Sequence, residues 1–178
     1  WHSPEPVRVG SEYAFSIDGG DPRPDPRSLL QPEGIHGPSE VVDLAAHDWQ
    51  DDGWRGHHAD AASHDDAMRG AVFYELHIGT FTESGTFDSA IERLDHLVTL
   101  GVTHVEILPV NGVPGERNWG YDGVNWYATS AAYGGPAAFQ RFVDACHARG
   151  LAVCLDVVYN HLGPSGNYLP EFGPYFNA

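Results

Sequence analysis

Short apolar runs alternate with amphipathic segments from residue 71 onward, and this alternation restricts the fold more than any other feature of the sequence. Residues 71–78, 102–109 and 151–158 are nearly continuous apolar runs, which are typical of strands buried on both faces. Residues 88–101 and 134–150 lie between these runs and carry helix signals. Strands separated by helices pair in parallel through right-handed crossovers. The sequence therefore predicts an α/β fold, either a doubly wound sheet or the first part of a (β/α)8 TIM barrel.

The two predicted helices have recognisable ends. The first is expected to start at Asp88, whose side chain can cap a helix N-terminus, and to stop at Gly101. The second opens at Gly134 and stops at Gly150. The expected apolar face of the first helix comprises Ile91, Leu94, Leu97 and Val98.

The sequence before residue 71 has a different character. Prolines at positions 22, 24 and 26 remove backbone donors and favour extended or turn geometry. We expect residues 1–45 to be the end of a small β-sandwich domain with its linker, and residues 46–70 to be a connecting segment. Residues 71–178 would then be the first part of the barrel, truncated after the third strand.

Charge and hydropathy exclude several classes of protein. Nine Lys and Arg residues against 25 Asp and Glu residues give a formal charge of −16, which would repel a polyanion, so we expect no nucleic acid partner. The sequence has no apolar run near the roughly 18 residues of a membrane helix and no signal-peptide pattern, which predicts no membrane association and a cytoplasmic location. Cys146 and Cys154 are too few for a disulfide framework or a zinc site.

A long connection follows the second strand, where residues 110–133 exceed the usual 2 to 6 residues of such loops by far. In a barrel, loops of this kind form the active-site face. Residues 118–127 of this connection combine aromatic rings with amide and carboxylate groups, which together can hold a sugar ring and its hydroxyls. The alternative is an Ω-loop packed on its own aromatic residues, and composition alone does not separate the two.

The third strand ends in a second candidate site. Side chains alternate along a strand, so Asp156 should face inward near the rim, and His161 follows shortly after it. A buried carboxylate needs a partner. An Asp held by backbone amides and a His capping a loop would be the purely structural interpretation.

Taken together, these segments resemble the amylase family of retaining glycoside hydrolases. Residues 156–161, DVVYNH, look like the family's signature at the end of the third strand, and residues 120–122, GYD, look like its loop after the second. The resemblance covers roughly residues 74–168, and more loosely begins near Asp25.

Four further segments are similar to members of the family that act on glycogen or release trehalose. These segments are residues 74–81, 105–110, 31–38 and 156–169. The resemblance implies hydrolysis of the α-1,4 bond next to the terminal trehalose of a maltooligosyl trehalose, so the expected partner is an α-glucan oligosaccharide with terminal trehalose. Branching or debranching of glycogen is the alternative activity within the family.

The resemblance also implies roles for individual residues. Tyr121 would stack on the sugar, His161 would hydrogen-bond a sugar hydroxyl, and Asp122 would brace the pocket. Asp156 would orient partners from later strands, and Asn160 aligns with a calcium ligand of many amylases. We nevertheless predict no metal and no cofactor, because trehalose-releasing members generally look metal-free. The implied substrate-binding residues are Trp119, Tyr121, Asp122 and His161, and the site-supporting residues are His77, Asp156 and Asn160.

The residues that would break the bond are not expected in this sequence. Retaining glycosidases use two carboxylates about 5 to 5.5 Å apart, and the family places its carboxylates at strands four, five and seven. We therefore assign no catalytic residue here and expect the chain to need the missing barrel strands. A non-catalytic carbohydrate-binding fragment is the alternative. A nucleotide-binding domain is disfavoured because residues 78–85 lack the GxGxxG spacing.

Overall fold

The computed structural model describes residues 5–57 and 68–176. Its strands are β1 (Glu12–Tyr13), β2 (Ser39–Glu40), β3 (Phe73–Leu76), β4 (His104–Ile107) and β5 (Ala152–Leu155), and its α-helices are α1 (Ile78–Phe81), α2 (Phe87–Ile91), α3 (Leu94–Thr99), α4 (Gly135–His147) and α5 (Leu169–Phe172). Two 3-10 helices cover Leu44–Ala46 and Ala131–Tyr133. Within the described ranges, every helix is too short or too polar to cross a membrane.

Strands β3, β4 and β5 form one parallel sheet in that order, which confirms the predicted α/β pairing. Val105 on the central strand lies in register with Tyr74 and Val153, and all three pack toward the helices. The next register position places Glu75 beside Glu106 on the opposite face of the sheet. One face is thus covered by helices, and the other carries polar side chains.

The core lies between this sheet and helices α2, α3 and α4. Phe87 of α2 stacks on Phe139 of α4, with ring centroids 5.1 Å apart. Leu97 of α3 and Phe142 of α4 are completely buried in the same cluster. Burying a side chain of this size stabilises the fold by about 1.5 to 3 kcal/mol. Burial also raises the pKa of the Cys146 thiol to about 12, so this thiol stays protonated at neutral pH.

The prediction of one helix capped by Asp88 is wrong in detail, because the segment forms two short helices, α2 and α3. Thr86 caps α2, since its side chain accepts a hydrogen bond from the backbone of Ser89 and the Ser89 hydroxyl bonds back to Thr86. The Asp88 carboxylate instead pairs with Arg141 at 2.7 Å. Between the helices the backbone tightens, with an i to i−3 bond from Arg93 to Ala90.

The N-terminal segment contains a small antiparallel pair in which Glu12 of β1 lies opposite Glu40 of β2. A single bridge joins Phe15 to Arg23 in the same segment. Further along the chain, Ile35 is buried against the α/β part. The predicted β-sandwich is not established by these elements, and the predicted boundaries at residues 45 and 70 stay predictions.

The connecting segment is described up to residue 57 and runs along α4. The carboxylate of Asp51 lies 2.6 Å from Nδ1 of His147, and the indole of Trp54 stacks on the same imidazole at 4.4 Å. The backbone N–H of Gln50 donates to the carboxylate of Asp144 one turn earlier. Residues 58–67 of the predicted connection lie outside the described residues.

Candidate functional site

Two loops meet at the carboxyl edge of the parallel sheet. We call residues 110–133, which follow β4, the aromatic loop, and residues 156–168, which follow β5, the β5 loop. The backbone N–H of Gly163 donates to the carbonyl of Gly123 at 3.1 Å. A Cβ atom on Gly163 would lie 2.2 Å from the carbonyl oxygen of Asp122, so only glycine allows this close approach.

Tyr121 lies where the two loops touch. Its hydroxyl donates to the carboxylate of Asp156 at 2.9 Å, and its backbone carbonyl lies 2.9 Å from Nε2 of His161. A carbonyl oxygen can only accept, so Nε2 of His161 carries the proton. The bond to the Asp156 carboxylate, followed by partial burial and by the charges of Asp156, Glu75 and Glu106, raises the pKa of the Tyr121 hydroxyl.

The turn before Tyr121 is formed by Gly120, which has φ +95°. A Cβ atom at this position would lie 2.1 Å from the carbonyl oxygen of Pro109, so both the backbone angle and the available space require glycine. The side chain of Asn118 completes the turn, because its Oδ1 accepts from the N–H of Gly120 at 2.8 Å and its Nδ2 donates to Asp122 at 3.1 Å.

Three of the five aromatic rings in the aromatic loop are exposed to solvent. Trp119 is 66% exposed, Tyr121 41% and Tyr127 55%. An Ω-loop packed on its own aromatic residues would bury these rings. The geometry therefore favours the ligand-binding interpretation of residues 118–127.

His77 lies at the end of β3, directly behind the aromatic loop. Its Nε2 is 2.7 Å from the carbonyl oxygen of Asn118, and its ring contacts Trp119 with centroids 5.4 Å apart. The hydroxyl of Tyr133 lies 3.1 Å from the same Nε2. Sequence reasoning included His77 but missed Tyr133, because the residues between the loop motif and α4 carry no pattern of their own.

The β5 loop is held from its outer side by the N-terminal segment. Ile35 fills the space beside Gly166, and the imidazole of His36 contacts the Tyr168 hydroxyl at 2.5 Å. The guanidinium of Arg23 pairs with Glu171 at 2.9 Å. Residues 31–38 and 156–169, two of the segments that carry the family resemblance, are thus in direct contact.

The structure brings Trp119, Tyr121, Asp122, Asp156, Asn160 and His161 to one edge of the sheet, with His77 behind them. Asn160 Oδ1 lies 3.2 Å from Nδ1 of His161. Among the described residues, no cluster of three His, Cys, Asp or Glu side chains could hold a metal ion. The roles of these residues in sugar binding stay predictions.

A separate open cleft of about 610 Å³ lies between the N-terminal segment and the aromatic loop. Its walls include Gln31, Ile35, Glu116 and Thr129, and none of the predicted site residues line it. Exposed rings beside carboxylates and an imidazole can bind an uncharged polyhydroxylated ligand. We therefore place the candidate site at Tyr121 and His161 rather than in this cleft.

The chain is similar to known proteins in sequence and in fold. The profile of the alpha amylase catalytic domain matches residues 47–172. A malto-oligosyltrehalose trehalohydrolase from Arthrobacter ramosus is 60% identical over 167 residues, which cover 94% of this chain and 28% of that protein. A 1,4-alpha-glucan branching enzyme from Corynebacterium jeikeium is 33% identical, over 93% of this chain and 24% of that protein.

A solved structure is also similar. The crystal structure of a candidate alpha amylase from Salmonella typhimurium superposes with a TM-score of 0.83 and 48% identity, over 92% of this chain and 26% of that chain. The chain thus spans less than a third of the length of each of these proteins.

Proposed function

The chain belongs to the alpha-amylase family, and on this premise we propose that it forms the N-terminal part of a retaining glycosidase that releases trehalose from maltooligosyl trehalose. The bond cleaved would be the α-1,4-glucosidic bond next to the terminal trehalose. The identity to the Arthrobacter ramosus trehalohydrolase supports this choice within the family.

The observation that carries the proposal is the contact of Tyr121 with both Asp156 and His161, beside the exposed ring of Trp119. An aromatic ring covers the apolar C–H face of a glucose unit, while carboxylate and imidazole groups bind its hydroxyls. In this proposal Tyr121 and Trp119 stack on sugar rings, and His161 bonds a hydroxyl. Asp156 fixes the Tyr121 ring through its hydroxyl.

The bond-breaking groups of the proposed enzyme lie on strands that follow this chain. Double displacement needs a nucleophilic carboxylate and an acid/base carboxylate about 5 to 5.5 Å apart. We assign neither role to a residue of this sequence. The chain would supply the first wall of the site, which orients the glucan against those carboxylates.

The same strands would complete the barrel. The face of the sheet away from the helices carries Phe73, which is 44% exposed, with Glu75 and Glu106 next to each other in register. Closing the barrel would cover this face and the edges of β3 and β5.

We further propose that the β1–β2 pair is the end of a small β-sandwich domain, as expected from the sequence.

Two assays separate the proposed activities. We expect the complete enzyme to release trehalose from maltooligosyl trehalose and to leave maltoheptaose, which has no terminal trehalose, unchanged. Formation of α-1,6 branches from an α-1,4 glucan would identify a branching enzyme instead, the activity named for the 33% identical relative. Glucan binding without hydrolysis by the complete protein would identify a carbohydrate-binding protein.

A mutation connects the activity to this site. His161→Ala removes the imidazole that reaches the Tyr121 carbonyl. We expect turnover to fall by about 100-fold, the effect of losing one hydrogen bond that stabilises the transition state, while the melting temperature changes little because His161 is exposed. Unchanged turnover with a large drop in melting temperature would show that His161 is only structural.

We also propose a cytoplasmic location, which cell fractionation tests.

A further inference from the structure

A group of side chains behind the aromatic loop takes no direct part in the proposed sugar contacts. The carbonyl oxygen of Asn118 lies 2.7 Å from Nε2 of His77. The hydroxyl of Tyr133 approaches the same carbonyl at 3.5 Å and the imidazole at 3.1 Å. Asn118 immediately precedes Trp119, so the side chains that hold the Asn118 carbonyl also fix the position of the Trp119 backbone.

His77 is held at both of its ring nitrogens. The Asn118 carbonyl can only accept, so Nε2 of the imidazole donates to it. The Thr80 hydroxyl lies 3.2 Å from Nδ1. These two contacts fix the plane of the ring.

Tyr133 connects this contact to the hydrophobic core. Its ring is only 5% exposed and packs edge-on against Phe87, with centroids 6.2 Å apart. Burial raises the pKa of the Tyr133 hydroxyl, so the hydroxyl keeps its proton and remains a donor. The residue lies at the end of the 3-10 helix just before α4, so it ties the loop's far end to its start.

Gly79 provides an independent observation. It lies within α1 and has no unusual φ that would require glycine. A Cβ atom there would lie 2.9 Å from the His77 ring and 3.0 Å from the Tyr133 ring. Side-chain atoms do not approach that closely, so glycine is needed at this position to leave room for both rings.

We propose that His77, Gly79 and Tyr133 form a brace that positions the Asn118 carbonyl, and through it Trp119 and Tyr121, for stacking on a neutral α-glucan. These three are positioning residues, since their contacts are with the loop. The inference rests on the proposed function for its ligand. The geometry of the brace itself does not depend on which reaction the complete enzyme performs.

The test uses the complete enzyme and three substitutions. Tyr133→Phe removes the hydroxyl but keeps the ring, His77→Leu removes the Nε2 donor, and Gly79→Ala forces the two rings apart. Each should weaken maltoheptaose binding, measured by calorimetry, by up to about tenfold, the worth of one lost hydrogen bond. Each should also speed hydrogen exchange at the Gly120 and Tyr121 amides without sugar.

Matched variants separate positioning from stability. His77→Gln keeps an N–H donor near the position of Nε2 and should recover most of the affinity that His77→Leu loses. Thr103→Val removes a hydroxyl that bonds the backbone of Val72, at the opposite edge of the sheet from the loop. Gly101→Ala strains a glycine with φ +81° and open surroundings. The last two should lower the melting temperature without changing glucan affinity.

The possible outcomes are distinct. Weaker binding together with faster exchange at Gly120 and Tyr121 supports the brace. A lower melting temperature with unchanged exchange and affinity overturns it, and so does faster exchange with unchanged affinity, because the loop would then not need positioning. If the wild-type enzyme releases no trehalose, the proposed function fails on its own, while glucan binding and exchange still decide the brace.

Discussion

The turn at residues 118–121 of the aromatic loop and the β5 loop form one site but are held in opposite ways. The turn is fixed from inside the α/β part, through His77 behind the Asn118 carbonyl. The β5 loop is fixed from outside, by Ile35 and His36 of the N-terminal segment. The same segment also holds residues 125–129 at the far end of the aromatic loop. The N-terminal segment should therefore control the order of the β5 loop and of that far end, and leave the turn at residues 118–121 unaffected.

The largest effect should come from the turn of the aromatic loop. Gly120→Ala combines a left-handed backbone with a clash against the Pro109 carbonyl, and we expect it to cost roughly 3 kcal/mol or more in free energy of unfolding. Glucan binding should be lost with it. Denaturant unfolding and calorimetry measure the two effects.

A control for this substitution lies in the same loop. Gly115 has φ +74° but nothing within 4 Å of its Cβ position. Gly115→Ala should cost only about 1 kcal/mol, from the backbone angle alone. Equal losses at positions 115 and 120 would mean that the close approach to Pro109 is unimportant.

The second prediction tests the outer side of the site. Ile35→Ala empties the space beside Gly166, and we expect a loss of about 2 to 4 kcal/mol because Ile35 is buried. Hydrogen exchange should become faster at Gly163 but stay the same at Gly120. Faster exchange at Gly120 as well would contradict the separation described above.

The third prediction concerns the contact between the two loops. Asp156→Asn keeps an oxygen acceptor for Tyr121 but removes the charge, so the pKa of the Tyr121 hydroxyl should fall toward its usual value. Ultraviolet titration against a Tyr121→Phe reference measures this change. Because the pair is largely solvent-exposed, the loss in stability should stay below about 1 kcal/mol. We expect turnover to fall as well. If neither the pKa of the Tyr121 hydroxyl nor turnover changes, Asp156 is not part of the site.

The smallest effect is confined to high pH and to the N-terminal segment. Burial, followed by the hydrogen bond to the Asp25 carboxylate, raises the pKa of the Tyr13 hydroxyl to about 12. The folded state holds this proton more tightly than the unfolded chain does. The stabilisation is therefore complete below about pH 10 and is lost as the pH rises through 12. Tyr13→Phe should make the melting temperature less sensitive to pH in this range.

Parts of this fold could be predicted because the determining interactions are local. The apolar runs at β3, β4 and β5 and the left-handed glycines at positions 101 and 150 depend on short-range sterics and burial. The cap of α2 was missed because Asp88 and Thr86 are both good capping residues. Thr86 is the cap because it forms a capping box with Ser89, while Asp88 forms an ion pair with Arg141.

The members of the candidate site and one of its supports, His77, were predictable from the sequence, but the other supports were not. The motifs indicated Tyr121 and His161 as neighbours because loops at the carboxyl ends of parallel strands converge. No pattern in a single sequence indicates that His36 meets Tyr168, since 132 positions separate them. The contacts of Tyr133 with His77 and Asn118 could not be predicted either, because a buried aromatic residue before a helix normally indicates core packing alone.

The floor of the site consists of main-chain atoms, since Gly120 lies on the Pro109 carbonyl and Gly163 on the Asp122 carbonyl. The main chain beneath the site and the exposed rings above it can therefore change independently during evolution. Rings at positions 119, 121 and 127 can be exchanged without disturbing the peptide groups beneath them, so ligand preference can drift while the scaffold is conserved. A mutant library that varies those three positions and keeps both glycines should contain mostly folded proteins. A library that also varies the two glycines should not.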